Sequence, residues 1–402
     1  MNKRLKVMFT IIITGVVGYF LAKHIPEIKT NVAKRDSMAY WAAGRLLAQH
    51  RNPYDYDSVL RLEREYGYSE ERPLVFRTPP WSLFMTLPLG LLTPLLAWLL
   101  WMAITVGCLL AGMHFSRNMY SVGSVPANLL TLAGYTFAPI TACLMSGQMG
   151  LVLMLGIVLF LWWERDHPFL AGSTLVLPFA KPHLLALFWL VLLLWVVTKK
   201  NGKIVLGFAT TFMSAMLAAF VLDPHIFHQY RAMLQTAAIQ NEFIPALSGV
   251  VRLIFFRSRF WMQFIPMILG FVWGIAFFLR RKSGWNWRRD GPALLVVSVL
   301  TTPYAWFADE TVLLPAILQA IAFVYGARAS MKLLNLIALA FLMLLDLLLL
   351  LILNARVPFA TGIYFWSSLV WFFLYFHARK LHVRSRLTSS KNAPGMVTQA
   401  VS

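Results

Sequence analysis

Charged residues are scarce in this chain. Only 13% of its 402 positions are Asp, Glu, Lys or Arg, about half of what a soluble domain carries, and this excludes an ordinary soluble enzyme. Acids are the scarcer sign, 16 against 36 basic residues. There are two cysteines, Cys108 and Cys143, both in apolar segments. That excludes a disulfide framework or a thiolate metal site and leaves two small hydrophobes. No internal repeat shows at a useful period, which weighs against an inverted-repeat transporter. No separate soluble domain is visible either.

What is present is apolar. Hydrophobic residues make up 59% of the chain and the mean hydropathy is +0.66. Apolar runs of about 16–23 residues recur from end to end, the pattern of an all-α polytopic membrane protein. About twelve transmembrane segments are expected: 7–25, 94–114, 124–142, 148–163, 168–181, 183–198, 204–222, 261–280, 292–308, 311–327, 333–353 and 360–378. Residues 1–25 have a basic start and an apolar core but no small-x-small cleavage site, and so are expected to be an uncleaved anchor. The stretch 81–92 is too short to cross and contains Pro88; it is expected as a re-entrant or interfacial piece. Residues 1–383 form one membrane domain on this reading, and 384–402, rich in Ser, Thr and Lys, a disordered cytoplasmic tail.

The net charge of +20 reports topology and no nucleic-acid partner. With both termini cytoplasmic, the loops on that side hold 20 Lys and Arg against 3 acids, and the other face holds 16 against 12. This is the positive-inside distribution. Two extracytoplasmic loops are then large: 26–80, expected to be helical, and 223–260, polar and aromatic with Pro224 and Pro245 at its corners.

The first loop contains KRDSMAYWAAGRLLAQHRNPYDY, residues 34–56. Asp36 precedes a segment whose Ala39, Ala43, Leu46 and Leu47 share one helical face, so an N-cap is one role for it. The other is a general base that removes the proton of an attacking hydroxyl, and a helix start would hold such a carboxylate rigidly. Two prolines follow Arg77-Thr78 and fix an extended entry into the bilayer. Arg77 either terminates the loop or meets a phosphate. Gln148, in Ser146-Gly147-Gln148-Met149-Gly150, sits at an external turn where its amide can donate and accept.

Lys181-Pro182-His183 lies inside an apolar hairpin. A lysine there costs about 2.5–3.5 kcal/mol and therefore faces a cavity, a partner or a ligand, unless it snorkels to the interface. A lipid phosphate is the anion it suits. Further on, Thr301–Glu310 combines aromatics with Asp309 and Glu310, which can hold a sugar or simply cap an interfacial belt. Asp346 stands alone in a leucine run, protonated or paired, with no role assigned.

The order of these features resembles glycosyltransferase family 87 of the GT-C superfamily. The residues that carry the resemblance are Asp36 with Tyr40, Ala42-Ala43 and Leu46-Leu47; Asn52-Pro53-Tyr54; Thr78-Pro79-Pro80 with Leu87-Pro88-Leu89 and Ala97-Trp98; Gly147-Gln148; Ala171-Gly172 and Lys181-Pro182; and Thr302-Pro303-Tyr304 with Asp309. The resemblance implies a GT-C-like helical bundle that moves a hexose, usually mannose, from a polyprenyl-phosphate donor to a lipid-linked or glycan acceptor. Transfer would take place on the extracytoplasmic face, inverting and without cofactor or metal. It implies Asp36 as the base, with Lys181, Arg77 and His183 at the donor phosphate. Tyr40, Tyr54, Gln148, Tyr304, Asp309 and Glu310 would lie around the substrates.

Two departures stand out. Some members carry a histidine where this chain has Asp309-Glu310, and an aromatic before the Pro-Pro where it has Arg77-Thr78. The expected location is the plasma (inner) membrane of a bacterium. The competing class is a transporter or flippase of a lipid-linked substrate, which would use the same pocket without chemistry. A non-catalytic binding subunit is the third.

Overall fold

A computed structural model of the chain describes residues 32–121, 125–236, 246–327, 329–356 and 366–391. The expected first span, 7–25, and part of the 223–260 loop lie outside the described residues. Within them the chain is all-helical, with no strand. In chain order the helices are α1 (Asp36–Ala48), α2 (Tyr56–Glu65), α3 (Pro94–Tyr120), α4 (Ala127–Tyr135), α5 (Ala138–Ser146) and α6 (Gly150–Trp163). There follow α7 (Pro168–Thr174), α8 (Ala186–Lys199), α9 (Gly202–Leu222), α10 (Ile226–Thr236) and α11 (Leu247–Phe255). The last are α12 (Ile265–Leu279), α13 (Trp287–Thr301), α14 (Leu314–Tyr325), α15 (Ala329–Arg356) and α16 (Ser367–Lys391).

Six helical stretches among the described residues are long and apolar enough to cross a membrane: Pro94–Tyr120, Pro182–Lys199, Gly202–Leu222, Phe260–Leu279, Phe307–Tyr325 and Lys332–Ile352. A seventh is added if α4 and α5, bent by 45°, form one span. This is fewer than the twelve expected. Helices occur at most of the remaining expected positions, but α6 and α13 have only 14 and 15 residues, and a helix of that length rises about 21–23 Å, short of the hydrocarbon thickness. The 168–183 stretch breaks after α7 into short 3-10 turns at Pro178 and Pro182, because proline ends the backbone hydrogen-bond ladder.

The outer faces of α9, α12 and α15 expose Leu206, Leu217, Val221, Leu269, Val272, Leu334 and Phe341. Such a belt is stable against lipid tails, whereas in water it would be an aggregation surface. Inside, small residues bring backbones together: a Cβ on Gly172 would fall 2.0 Å from the Ile204 carbonyl oxygen, and one on Gly207 2.0 Å from that of Phe169. α7 and α9 therefore pack as closely as helices can, the usual means of association in lipid.

Contacts sort the chain into two ends. At one, Tyr120 and Gln319 hydrogen-bond the Arg288 carbonyl, Arg288 reaches Trp162, and Arg379 pairs with Asp290. At the other, Trp81 Nε1 donates to the Phe179 carbonyl at 3.0 Å, His50 meets that of Leu222 at 3.2 Å, and Ser248 donates to that of Thr302 at 2.6 Å. The arginine-rich turns collect at the first end. The sequence-predicted site residues collect at the second.

Two local expectations are corrected. Arg35 occupies the N-cap of α1, and Asp36 is the first helical residue, so Asp36 does not cap. Nor is α1 amphipathic, because Ser37 to Gly44, Leu46 and Leu47 are all buried. The segment 80–92 wraps over it as a 3-10 turn (Pro80–Met85) and one helical turn (Leu87–Gly90), covering the side that would otherwise meet solvent. Gly44 and Gly90 make that possible: a Cβ on Gly44 would sit 2.0 Å from the Thr86 carbonyl oxygen. Separately, α16 runs to Lys391, into the stretch 384–402 expected as a tail.

Candidate active site

The site begins with a turn. α5 ends at Gly147, whose φ of 73° is left-handed, a conformation only glycine adopts without strain. A Cβ there would also lie 2.9 Å from Ser37 Oγ. This glycine lets the 147–150 turn sit against the first turn of α1. Trp101 Nε1 fixes the turn by donating to the Gly147 carbonyl at 2.7 Å. The Trp101 ring packs edge-on to Tyr40 at 5.0 Å, and Tyr40 packs edge-on to Phe76 at 5.5 Å. Asp36, Arg77 and Gln148 are thereby drawn to one place.

On the opposite wall Lys181 lies between the turns Pro178–Ala180 and Pro182–Leu185. Its Nζ is 2.6 Å from Asp309 Oδ1, with the lysine side chain 15% exposed and the aspartate 2%. Asp309 Oδ2 accepts from the Trp306 N–H at 3.0 Å, so both its oxygens are engaged. Gly150 supports this wall too, since a Cβ there would lie 2.5 Å from the Ala308 carbonyl oxygen. Trp81, stacked on Phe179 at 5.5 Å, ties the Arg77 segment to the lysine turn.

Asp36 sits between the walls, half-buried. Burial raises its carboxyl above the ordinary value. A hydrogen bond with the Gln148 side chain and then the charge of Lys181 oppose the rise; Asp309 adds to it, and Arg77 opposes it. These influences, from residues 36, 77, 148, 181 and 309, define the cluster. Desolvation prevails, so the carboxylate is a stronger base than one in water.

Tyr40 lines the same site: burial, then Asp36, raise its phenol, and Met149 contributes a backbone hydrogen bond. His183 lies within the fields of Lys181 and Asp309 and meets Tyr304 edge-on at 5.7 Å. Two expected residues are elsewhere. Tyr54 donates to the Thr78 carbonyl at 3.1 Å and packs on Tyr230 at 5.3 Å, bracing the loop. Glu310 turns away from Asp309's lysine, accepts from Ser367 Oγ at 2.7 Å, and lies in the field of Asp346. The short 3-10 spacing of Phe307–Leu313 sends adjacent acids to different sides.

Ser37 was not anticipated. Its Oγ and the Oε1 of Gln148 are buried without a hydrogen-bond partner among the described residues, and buried polar atoms left so cost free energy unless a ligand or water meets them. Its position next to Asp36 was the available sequence signal. Trp101 was missed as well, having looked like one more apolar residue of a span. No group of three or more His, Cys, Asp or Glu able to hold a metal occurs among the described residues.

Apolar outer helix faces around a carboxylate–lysine cluster at one end define a multi-pass membrane protein with a polar cluster inside it. The chain belongs to glycosyltransferase family 87, whose family model matches residues 76–345, and it is accordingly a membrane glycosyltransferase. Arg77, Gln148, Lys181 and Asp309 fall inside the matched stretch, and Asp36 and Tyr40 precede it. No curated protein and no solved structure matches the chain.

Proposed function

We propose that the protein transfers a hexose, with mannose the first candidate, from a polyprenyl-phosphate donor to a hydroxyl of a lipid-linked or glycan acceptor. Transfer takes place on the extracytoplasmic face of a bacterial inner membrane and inverts the anomeric carbon. The observation that carries the reading is the convergence of Asp36 with the Lys181–Asp309 pair, Arg77 and Gln148.

The chemistry asks for few parts. The acceptor hydroxyl oxygen forms a bond to the anomeric carbon as the carbon–oxygen bond to phosphate breaks, and polyprenyl phosphate leaves with the electron pair. Asp36 takes the hydroxyl proton; its raised carboxyl suits it to that task. An ammonium has three N–H donors; one from Lys181 meets Asp309, and the others make no hydrogen bond among the described residues. They and Arg77 supply positive charge for the departing phosphate, in a site already organised for it. Asp309 acts through Lys181 as a positioning residue. Ser37 Oγ and Gln148 Oε1 orient the acceptor hydroxyl toward Asp36.

Incubating purified protein with polyprenyl-phosphate mannose and a panel of acceptors, then weighing the products, tests this. An acceptor heavier by one hexose supports it. Movement of an unaltered donor across proteoliposomes, with no new linkage, would replace transfer by transport.

A further inference from the structure

An open cleft of about 570 Å³ lies where α11 meets the 3-10 turn Phe260–Phe264, lined by Phe255, Phe256, Arg257, Ser258 and Arg259. It is not formed by the Asp36 cluster. α11 is strongly one-sided: Ser248, Gly249 and Arg252 are buried, while Val251, Ile254 and Phe255 are exposed, as are Phe256 and Trp261 beyond it. Large apolar side chains on one face beside arginines are the composition of a helix lying in the membrane interface.

The cations have a particular arrangement. Residues 246–268 contain three arginines and no acid. Arg252 is structural: it donates to the Arg257 carbonyl at 3.4 Å and lies 5.5 Å over the Phe260 ring. Arg257 and Arg259 are exposed at the mouth of the cleft and make no ion pair among the described residues. Behind them the corner is fastened to the candidate active site. Phe260 and Phe264 pack on Tyr304 at 6.3 and 5.9 Å, Gln263 Nε2 donates to the Pro303 carbonyl, and Tyr304 meets His183, two residues past Lys181.

We infer that this corner receives the phosphate-bearing lipid substrate from the bilayer. Arg257 and Arg259 hold its phosphate, and Ile254, Phe255, Phe256 and Trp261 lie along the first part of its hydrocarbon chain. Guanidinium forks match phosphate oxygens two at a time. Loose attraction to anionic phospholipid takes a patch of about 4–8 basic residues; here two arginines frame one cleft, and the turn beside it is fastened to Pro303 and Tyr304. The inference rests on the lipid-phosphate donor proposed above.

The test is binding of a polyprenyl phosphate and, separately, of phosphatidylglycerol to purified protein in nanodiscs. Wild type is compared with Arg257→Gln/Arg259→Gln, two exposed positions whose change leaves the fold intact. The double variant is expected to bind polyprenyl phosphate about tenfold more weakly with phosphatidylglycerol unaffected. Equal binding of polyprenyl phosphate by both proteins overturns the cleft alone and leaves the donor standing. Parallel loss of both lipids makes the corner a general anionic surface and overturns the assignment. No binding of polyprenyl phosphate by wild type removes the donor and the cleft together.

Discussion

Lys181 Nζ and Asp309 Oδ1 lie 2.6 Å apart although 128 positions separate them in the chain. This pair joins the lysine turn to the late helical turn and fixes the position of the Lys181 ammonium. Breaking it from one side leaves a nearly buried ion uncompensated, which costs about 3–5 kcal/mol. Lys181→Met and Asp309→Leu are each expected to lower thermal stability in detergent, and Lys181→Met/Asp309→Leu to recover much of the loss. Activity is expected to stay absent in the double variant. Recovery of activity along with stability would make the pair purely structural.

Asp36→Asn is expected to reduce transfer by about 10²–10⁴-fold, the contribution of a general base, with expression and membrane insertion retained. Because burial raises the Asp36 carboxyl, the proton-free form required of a base is lost at a higher pH than for an ordinary aspartate. The acid limb of kcat/KM against pH is therefore expected above the usual carboxylate range. A limb at the ordinary value would show that Asp36 is not the titrating base.

Gly147→Ala adds a methyl 2.9 Å from Ser37 Oγ on a left-handed backbone. Strain of about 1–3 kcal/mol is expected to push the turn off α1 and carry Gln148 away from Asp36. The readout is a lower melting temperature together with an acid limb moved to still higher pH, since the Gln148 hydrogen bond opposes the rise.

Glu63 on α2 is buried, accepts the Leu74 N–H on both oxygens at 3.2 and 3.1 Å, and is pushed by burial from 4.5 to about 8. The folded state thus holds a proton that the unfolded chain releases. Its contribution to stability is complete below about pH 4.5 and is lost as pH rises through about 8. Glu63→Gln keeps an acceptor for Leu74 without the charge. It is expected to flatten the dependence of melting temperature on pH and to raise stability above pH 8. Unchanged pH dependence would place the titration elsewhere.

How far the sequence revealed this arrangement differs by residue. Lys181 stands out because a lysine in an apolar hairpin faces a cavity, a partner or a ligand unless it snorkels, but spacing does not show that it meets Asp309. Asp36 was visible as a lone acid before a helix; its capping role was not realised, since Arg35 takes that position. Asp309 and Glu310 looked equivalent, and only the 3-10 turn divides them between Lys181 and Ser367. Periodicity located helices, yet among the described residues it could not separate a crossing stretch from a shorter helix: α6 and α13 have 14 and 15 residues, fewer than any of the six that are long enough. The burial of α1 was illegible: it depends on Gly44 meeting Gly90, a contact between segments with no shared pattern.

The most direct measurement compares wild type and Asp36→Asn, reconstituted in liposomes with polyprenyl-phosphate mannose and acceptor, by mass analysis of the products. The account predicts an acceptor carrying one added hexose with wild type and about 10²–10⁴-fold slower formation of it with the variant. A variant that forms that product at the wild-type rate would contradict it.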